Sequence, residues 1–187
     1  MKLKNQSEVN RITISAMLLA LAWILPLLTG QIPEIGNMFL PMHIPVFLAG
    51  LMLGPKYGLM LGFIMPLSRS LIFTSPPFYP NAISMAFELA TYGLIAGVLF
   101  HKLNQIQMRF YINLYTSLIV AMISGRLIWG LVQSFIGLFG NLLTLEMFLR
   151  ASLYLAWPGL IVQLILIPLI LIALIKSGLL STETGTL

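Results

Sequence analysis

The 187-residue chain contains no cysteine and no aspartate, and it has only two histidines. A disulfide framework is therefore excluded, and a metal centre with its own set of side-chain ligands is not expected. Charged residues make up 8% of the chain and hydrophobic residues 59%, whereas about a quarter of the residues in a soluble domain are charged. Small folds leave much of their surface exposed, so the core of a 187-residue protein cannot bury this many apolar residues. The composition predicts an integral membrane protein.

Sequence motifs of common enzymes are missing as well. No G-x-x-x-x-G-K-[ST] segment occurs, so we do not expect ATP binding through a P-loop. Neither HExxH nor GxSxG occurs, and no pair of neighbouring acidic residues is present, which argues against an intramembrane hydrolase. The net charge of +5 is typical of lysine and arginine flanking membrane spans, and it does not require a nucleic-acid partner. We expect a protein that is not an enzyme and that holds no cofactor of its own.

Six apolar segments run along the chain, separated by polar stretches or by stretches with proline and glycine. They cover residues 11–29, 44–54, 57–73, 81–101, 110–139 and 148–176. A spanning helix needs about 20 apolar residues, which the second segment does not reach. No alternating strand pattern is present, and lipid admits only helices or closed barrels. We therefore predict an all-α membrane protein in which residues 1–187 form a single domain of six transmembrane helices.

The first segment follows a basic N-terminus, a combination that also occurs in cleaved signal peptides. Its length favours a membrane span, and no small-residue cleavage site followed by a soluble domain appears. Six helices without an evident inverted repeat also fit poorly with a self-sufficient secondary transporter.

The distribution of basic residues predicts the topology. With six spans, seven of them fall on one side of the membrane: Lys2, Lys4, Arg11, Lys56, Lys102, Arg109 and Lys176. The loops on the opposite side hold Glu34, Glu146 and a single basic residue, Arg150. Because basic residues mark the cytoplasmic side, we expect both termini in the cytoplasm of a multi-pass protein of the bacterial plasma membrane.

Three of the predicted helices carry a polar or aromatic stripe on an otherwise apolar body. The stripes are Asn81, Ser84 and Glu88 on the fourth helix, Arg126, Trp129 and Gln133 on the fifth, and Tyr154 and Trp157 on the sixth. Residues at these spacings share one face of a helix. A charge inside a bilayer costs several kcal/mol on some scales and more on others, so we expect the stripes to converge. The predicted feature is a polar pocket, open to the outside, with a pair of Glu88 and Arg126 at its floor.

Other interpretations of these charges stay open. The pair of Glu88 and Arg126 would equally serve as a buried salt bridge that fixes the register of two helices. Arg69, near the outer end of the third helix, could instead partner Glu88 or contact the ligand. His43, at the mouth of the second helix, is a further candidate ligand contact, with an ordinary interfacial side chain as the alternative.

Small residues recur at a spacing of four. Ala16 and Ala20 form an AxxxA motif in the first helix, and Gly93 and Gly97 form a GxxxG motif in the fourth. Such spacing allows the backbones of two membrane helices to approach closely.

Two blocks of the sequence, LPMHIPVFLAGLMLGPKYGLMLGFIMPLSRSLIF and PPFYPNAISMAFELATYGLIAGVLF, resemble the substrate-binding S components of energy-coupling factor (ECF) vitamin transporters. The AxxxA motif supports the resemblance. It implies an S-component-like bundle that binds one small vitamin or precursor in an outward pocket and releases it inside by toppling in the lipid bilayer. It also implies partners: a transmembrane coupling subunit, contacted by Ala16 and Ala20, and two ATPase subunits that use the ATP.

The candidate ligands are pantothenate, pyridoxine or a relative, and hydroxymethylpyrimidine. If Glu88 neutralises one of Arg69 and Arg126, the other remains for an anion, which favours pantothenate. If Glu88 contacts the ligand instead, a pyridine or pyrimidine stacked on Trp129 or Trp157 fits better. Of these candidates, we expect pantothenate to be the ligand. A membrane enzyme with Glu88 or His43 as base, and a structural membrane subunit held by its ion pair, are the alternatives from other classes.

Overall fold

The computed structural model describes residues 2–3, 7–28, 41–106, 108–138, 144–150 and 156–181. Its helices are α1 (Glu8–Leu28), α2 (His43–Leu53), α3 (Pro55–Phe73), α4 (Ile83–Gln105), α5 (Phe110–Gly137), α6 (Leu145–Leu149) and α7 (Trp157–Lys176). A π-helical turn, Phe78–Ala82, leads into α4. Two short strands, β1 (Lys2–Leu3) and β2 (Leu180–Ser181), pair with each other. The all-helical prediction is thus confirmed, apart from this single two-residue ladder.

Among the described residues, four helical stretches are long and apolar enough to cross a membrane. They are Glu8–Leu27, Phe78–Gln105, Phe110–Gly137 and Trp157–Lys176. Their outward faces are apolar: on α5, for example, Ile123, Leu127 and Leu131 are all exposed. A soluble protein rarely exposes contiguous apolar patches of this kind. The prediction of a membrane protein is supported, and the exposed faces fit contact with lipid.

The two helices between the first and second of these stretches are different. Helix α2 has only 11 residues, all of them buried. Its length of about 16 Å, from a rise of about 1.5 Å per residue, is roughly half of a hydrocarbon core of about 30 Å. Helix α3 is longer but carries Lys56 and Arg69. The prediction of six spans is therefore supported for four segments and stays a prediction for these two.

Contacts between distant segments show how the helices are directed. Tyr57 Oη donates a hydrogen bond of 2.7 Å to Glu8 Oε2, which joins the starts of α1 and α3. Trp23 Nε1 donates to Ser68 Oγ over 3.2 Å, so the two helices run parallel. The antiparallel pairing of β1 with β2 brings the end of α7 to the start of α1. Both described chain ends therefore lie at one end of the bundle, which we call the terminal end; the other is the far end.

Glycines let α4 pack closely on α2 and α3. A Cβ atom added at Gly93 would collide with the backbone carbonyl of Gly58, and one added at Gly97 would lie 2.8 Å from Gly50 O. Helix backbones can come this close only where the side chain is absent. The prediction of close approach at the GxxxG motif is confirmed, and this contact fixes α4 against the buried α2.

The predicted sixth segment, 148–176, is wrong as a single helix. Helix α6 ends at Leu149, Ala156 lies in a turn, and α7 begins at Trp157. Pro158 stands in the first turn of α7, where its missing N–H has no partner to lose. Tyr154, part of the predicted stripe on this segment, lies outside the described residues.

Candidate ligand-binding site

An ion pair joins α4 to α5 in the interior of the bundle. Arg126 Nη1 lies 3.0 Å from Glu88 Oε1, and the two side chains are 14% and 2% exposed. Arg126, and not Arg69, is therefore the partner of Glu88. Tyr92, one turn beyond Glu88 on α4, donates a hydrogen bond of 2.7 Å to the same oxygen. Glycine at position 125 makes room for this arrangement, because a Cβ there would collide with the Tyr92 ring.

The buried end of α2 adds aromatic contacts to this pair. The rings of His43 and Tyr92 lie 5.4 Å apart between centroids, and Phe47 stacks on Tyr92 at 5.1 Å. His43 and Tyr92 are both buried. Three helices, α2, α4 and α5, thus meet around Glu88. We call His43, Glu88, Tyr92 and Arg126 the central cluster.

One edge of the Arg126 guanidinium has no partner among the residues that the structure describes. Its Nε and Nη2 atoms are buried and make no hydrogen bond within the described part of the chain. These two donors point in nearly the same direction and form the rigid fork that matches a carboxylate or another pair of acceptors. Leaving a buried donor unpaired costs about 1–3 kcal/mol, and more for a charged group. The edge therefore marks a place where a polar molecule would be stabilised.

Two glutamines add further unpartnered atoms. Gln133 Oε1 on α5, and both Nε2 and Oε1 of Gln163 on α7, are buried without a hydrogen-bond partner in the described ranges. Most buried polar atoms in proteins are paired, so each exception calls for a water, an ion or a ligand. Gln163 was not among the predicted site residues. The signal was available, because it is a lone amide in the apolar run GLIVQLILIPL, and polar groups inside membrane helices are usually functional.

The remaining stripe residues lie towards the far end of the bundle. Asn81 is exposed in the π-helical turn, and Ser84 is buried with its hydroxyl 3.0 Å from the carbonyl oxygen of Pro80. Trp129 stacks on Phe148 of α6, with ring centroids 6.2 Å apart. Trp157, the first residue of α7, is 55% exposed. Ligand contacts by Asn81, Ser84, Trp129 and Trp157 stay predictions.

Arg69 lies on the side of α3 that faces α1. Its Nη1 donates a hydrogen bond of 2.8 Å to the carbonyl oxygen of Trp23, and its guanidinium lies 5.1 Å from the centre of the Phe73 ring. The side chain is buried, so the backbone carbonyl and the ring face replace part of its lost hydration. Among the described residues, the contacts found for Arg69 are with Trp23 and Phe73 and not with the central cluster, and a ligand contact by this residue stays a prediction.

Ala16 and Ala20 lie on the outer face of α1. Both are exposed, together with the apolar Ile12, Met17 and Ile24. No described residue covers this face, which therefore fits contact with a membrane-embedded partner.

Comparison with known proteins gives one family. The family model described as "ECF transporter, substrate-specific component" matches residues 10–182, nearly the whole chain. Among curated proteins and solved structures, no significant match to the chain was found.

Proposed function

This chain belongs to the family of ECF transporter substrate-specific components, and from that premise we propose that its central cluster binds a small water-soluble vitamin or precursor. The family makes the chain a substrate-binding membrane component of an importer, with an ECF module as its partner. The site and the ligand are our proposal. It is carried by one observation: the fork of Arg126 and the amides of Gln133 and Gln163 present buried polar atoms that have no partner in the described part of the chain.

Pantothenate is the first candidate ligand. Its carboxylate has two acceptor oxygens in one plane, and the Nε–Nη2 edge of Arg126 is the side-chain group that matches such a pair. Gln133 Oε1 adds an acceptor that no described residue pairs with, which suits the hydroxyl and amide donors along the rest of that molecule. The charge-assisted contact between the carboxylate and Arg126 would fix the orientation of the ligand in the site.

Pyridoxine or hydroxymethylpyrimidine is the second candidate, and a different observation favours it. Glu88 already neutralises Arg126 at 3.0 Å, so a carboxylate in the site would leave a net negative charge in a buried place, which is costly. A neutral ring with acceptor atoms avoids that cost. Trp129, which is half-buried and has one ring face on Phe148, offers an aromatic surface for such a ring.

Delivery of the ligand completes the proposal. The exposed Ala16 and Ala20 face of α1 would contact the transmembrane coupling subunit, and two ATPase subunits would supply the energy, since the sequence holds no P-loop. We propose that both termini lie in the cytoplasm of a bacterial cell and that the loaded chain topples in the membrane to release its ligand. The chain itself would catalyse no reaction.

Calorimetric titration of the purified chain tests the proposal. Pantothenate, pyridoxine and hydroxymethylpyrimidine are titrated separately into detergent-solubilised protein. We expect saturable binding, with a lower Kd for pantothenate than for the two ring compounds. Binding of pyridoxine without any binding of pantothenate would reverse that order. No heat with any of the three would contradict the proposed ligand class.

A further inference from the structure

We propose that Gln163 determines ligand specificity: its amide pairs with an uncharged part of the ligand that offers one hydrogen-bond donor and one acceptor. The inference rests on the proposed function and names a contact that neither the family match nor the polar stripes assign. Suitable ligand groups are an amide, neighbouring hydroxyls, or an amino group beside a ring nitrogen. The contact is chemically distinct from that of Arg126, which can only donate.

The position of Gln163 in the bundle supports this role. Residues Gly159, Gln163 and Ile167 are spaced by four and are all buried, so they form the inner face of α7. Helix α7 packs against α2 and α5, the helices that carry His43 and Arg126 of the central cluster. The amide is therefore on the side of α7 that faces the site rather than lipid.

The position of Gln163 along α7 is comparable to the positions of the site residues along α5. At about 1.5 Å per residue, Gln163 lies about 9 Å from the start of α7 at the far end of the bundle. On α5, whose last residue is also at the far end, Gln133 lies about 6 Å and Arg126 about 16 Å from that end. Counted along each helix from its far-end terminus, Gln163 thus falls between Gln133 and Arg126, and the proposal is that it contacts the middle of a ligand held by Arg126.

The hydrogen-bond state of the amide separates this role from a structural one. Gln163 is 0% exposed, and neither Oε1 nor Nε2 has a partner in the part of the chain that the structure describes. A glutamine that tied two helices together would have at least one of these atoms bonded across the interface. Because the free protein already lacks those bonds, replacing the amide with an apolar group of the same length removes an unpaired polar group and breaks no contact.

The test compares Gln163→Met with the wild type and with Gln105→Met, in which an exposed glutamine at the end of α4 is changed in the same way. Binding of pantothenate, pyridoxine and hydroxymethylpyrimidine is measured by calorimetry, and the Tm of the ligand-free proteins by scanning fluorimetry. For Gln163→Met we expect the Kd of the bound compound to rise by about tenfold or more, as for loss of a buried hydrogen-bonding group. We expect its ligand-free Tm to be unchanged or higher. The Gln105 control should change neither quantity.

Two results would overturn the inference. One is an unchanged Kd in Gln163→Met. The other is a ligand-free Tm several degrees below that of the control, which would mark the amide as a structural group. If the wild type binds none of the three compounds, the proposed ligand class fails, and the comparison of Tm values still separates an unpaired amide from a structural one.

Discussion

Arg126 Nη1 lies 3.0 Å from Glu88 Oε1, while the Nε–Nη2 edge of the same guanidinium has no partner among the described residues. The same oxygen, Glu88 Oε1, also accepts a hydrogen bond from Tyr92, so it has two donors while two donors of the arginine have no partner among the described residues. A buried salt bridge that serves only stability gains most when both partners are fully hydrogen-bonded. The asymmetry therefore favours a pair that orients the arginine towards a ligand.

A double variant separates the ligand-binding role of the pair from a structural one. Arg126→Met alone leaves a buried carboxylate without its cation, and we expect it to cost about 3–5 kcal/mol of stability. Adding Glu88→Gln removes that charge while keeping an acceptor for Tyr92, so most of the stability should return. Binding should stay absent in both variants, as measured by calorimetry beside thermal unfolding. Recovery of both stability and ligand binding in the double variant would show that the pair only holds the helices together.

Tyr92→Phe should lower stability through the central cluster. The variant keeps the ring contacts with His43 and Phe47 but removes the hydroxyl that donates to Glu88. Hydrogen bonds to charged groups are worth about 1.5–3 kcal/mol, so the loss should be of that size. Tyr111→Phe, at an exposed tyrosine near the start of α5, is the matched control and should cost about 0.5 kcal/mol or less. Equal Tm values for the two variants would contradict a stabilising role for the Tyr92 hydroxyl.

The sequence predicted the central pair because Glu88 and Arg126 are charges in apolar runs. Burying either charge alone is costly, so the two are expected to pair. It did not predict the partner of Arg69, because the face that α3 turns to α1 depends on packing that no spacing reveals. Gln163 was missed because it stands alone, whereas the predicted site residues of α4 and α5 form stripes of several polar or aromatic residues. The break before α7 was missed although Pro158 signals it, because the apolar run continues on both sides.

Gly93→Ala should disturb the packing of α4 on α3. The added methyl group would meet the backbone of Gly58, which cannot rotate away as a side chain can. Overpacking of this kind costs about 1–3 kcal/mol, and occasionally more. The control is Thr91→Ala, which removes a hydroxyl bonded within its own helix to the carbonyl of Phe87. If Gly93→Ala unfolds as cooperatively as the control and with the same Tm, the close contact of α4 with α3 does not contribute to stability.

Bulky residues on α1 should block assembly while sparing ligand binding. Ala16 and Ala20 are exposed, so Ala20→Trp fits the free chain but would prevent close approach by a coupling helix. We expect the variant to bind ligand normally and to lose co-purification with the coupling subunit and ATPases. Ile123→Trp, at an exposed site on α5, should assemble normally. Normal assembly of Ala20→Trp would place the coupling contact elsewhere.

A crystal structure of the protein with its bound vitamin tests the central claim most directly. The account predicts acceptor atoms of the ligand at about 2.7–3.2 Å from Nε and Nη2 of Arg126, with Gln163 contacting another part of the same molecule. A ligand bound away from the central cluster, with the Arg126 edge still unpaired, would contradict it.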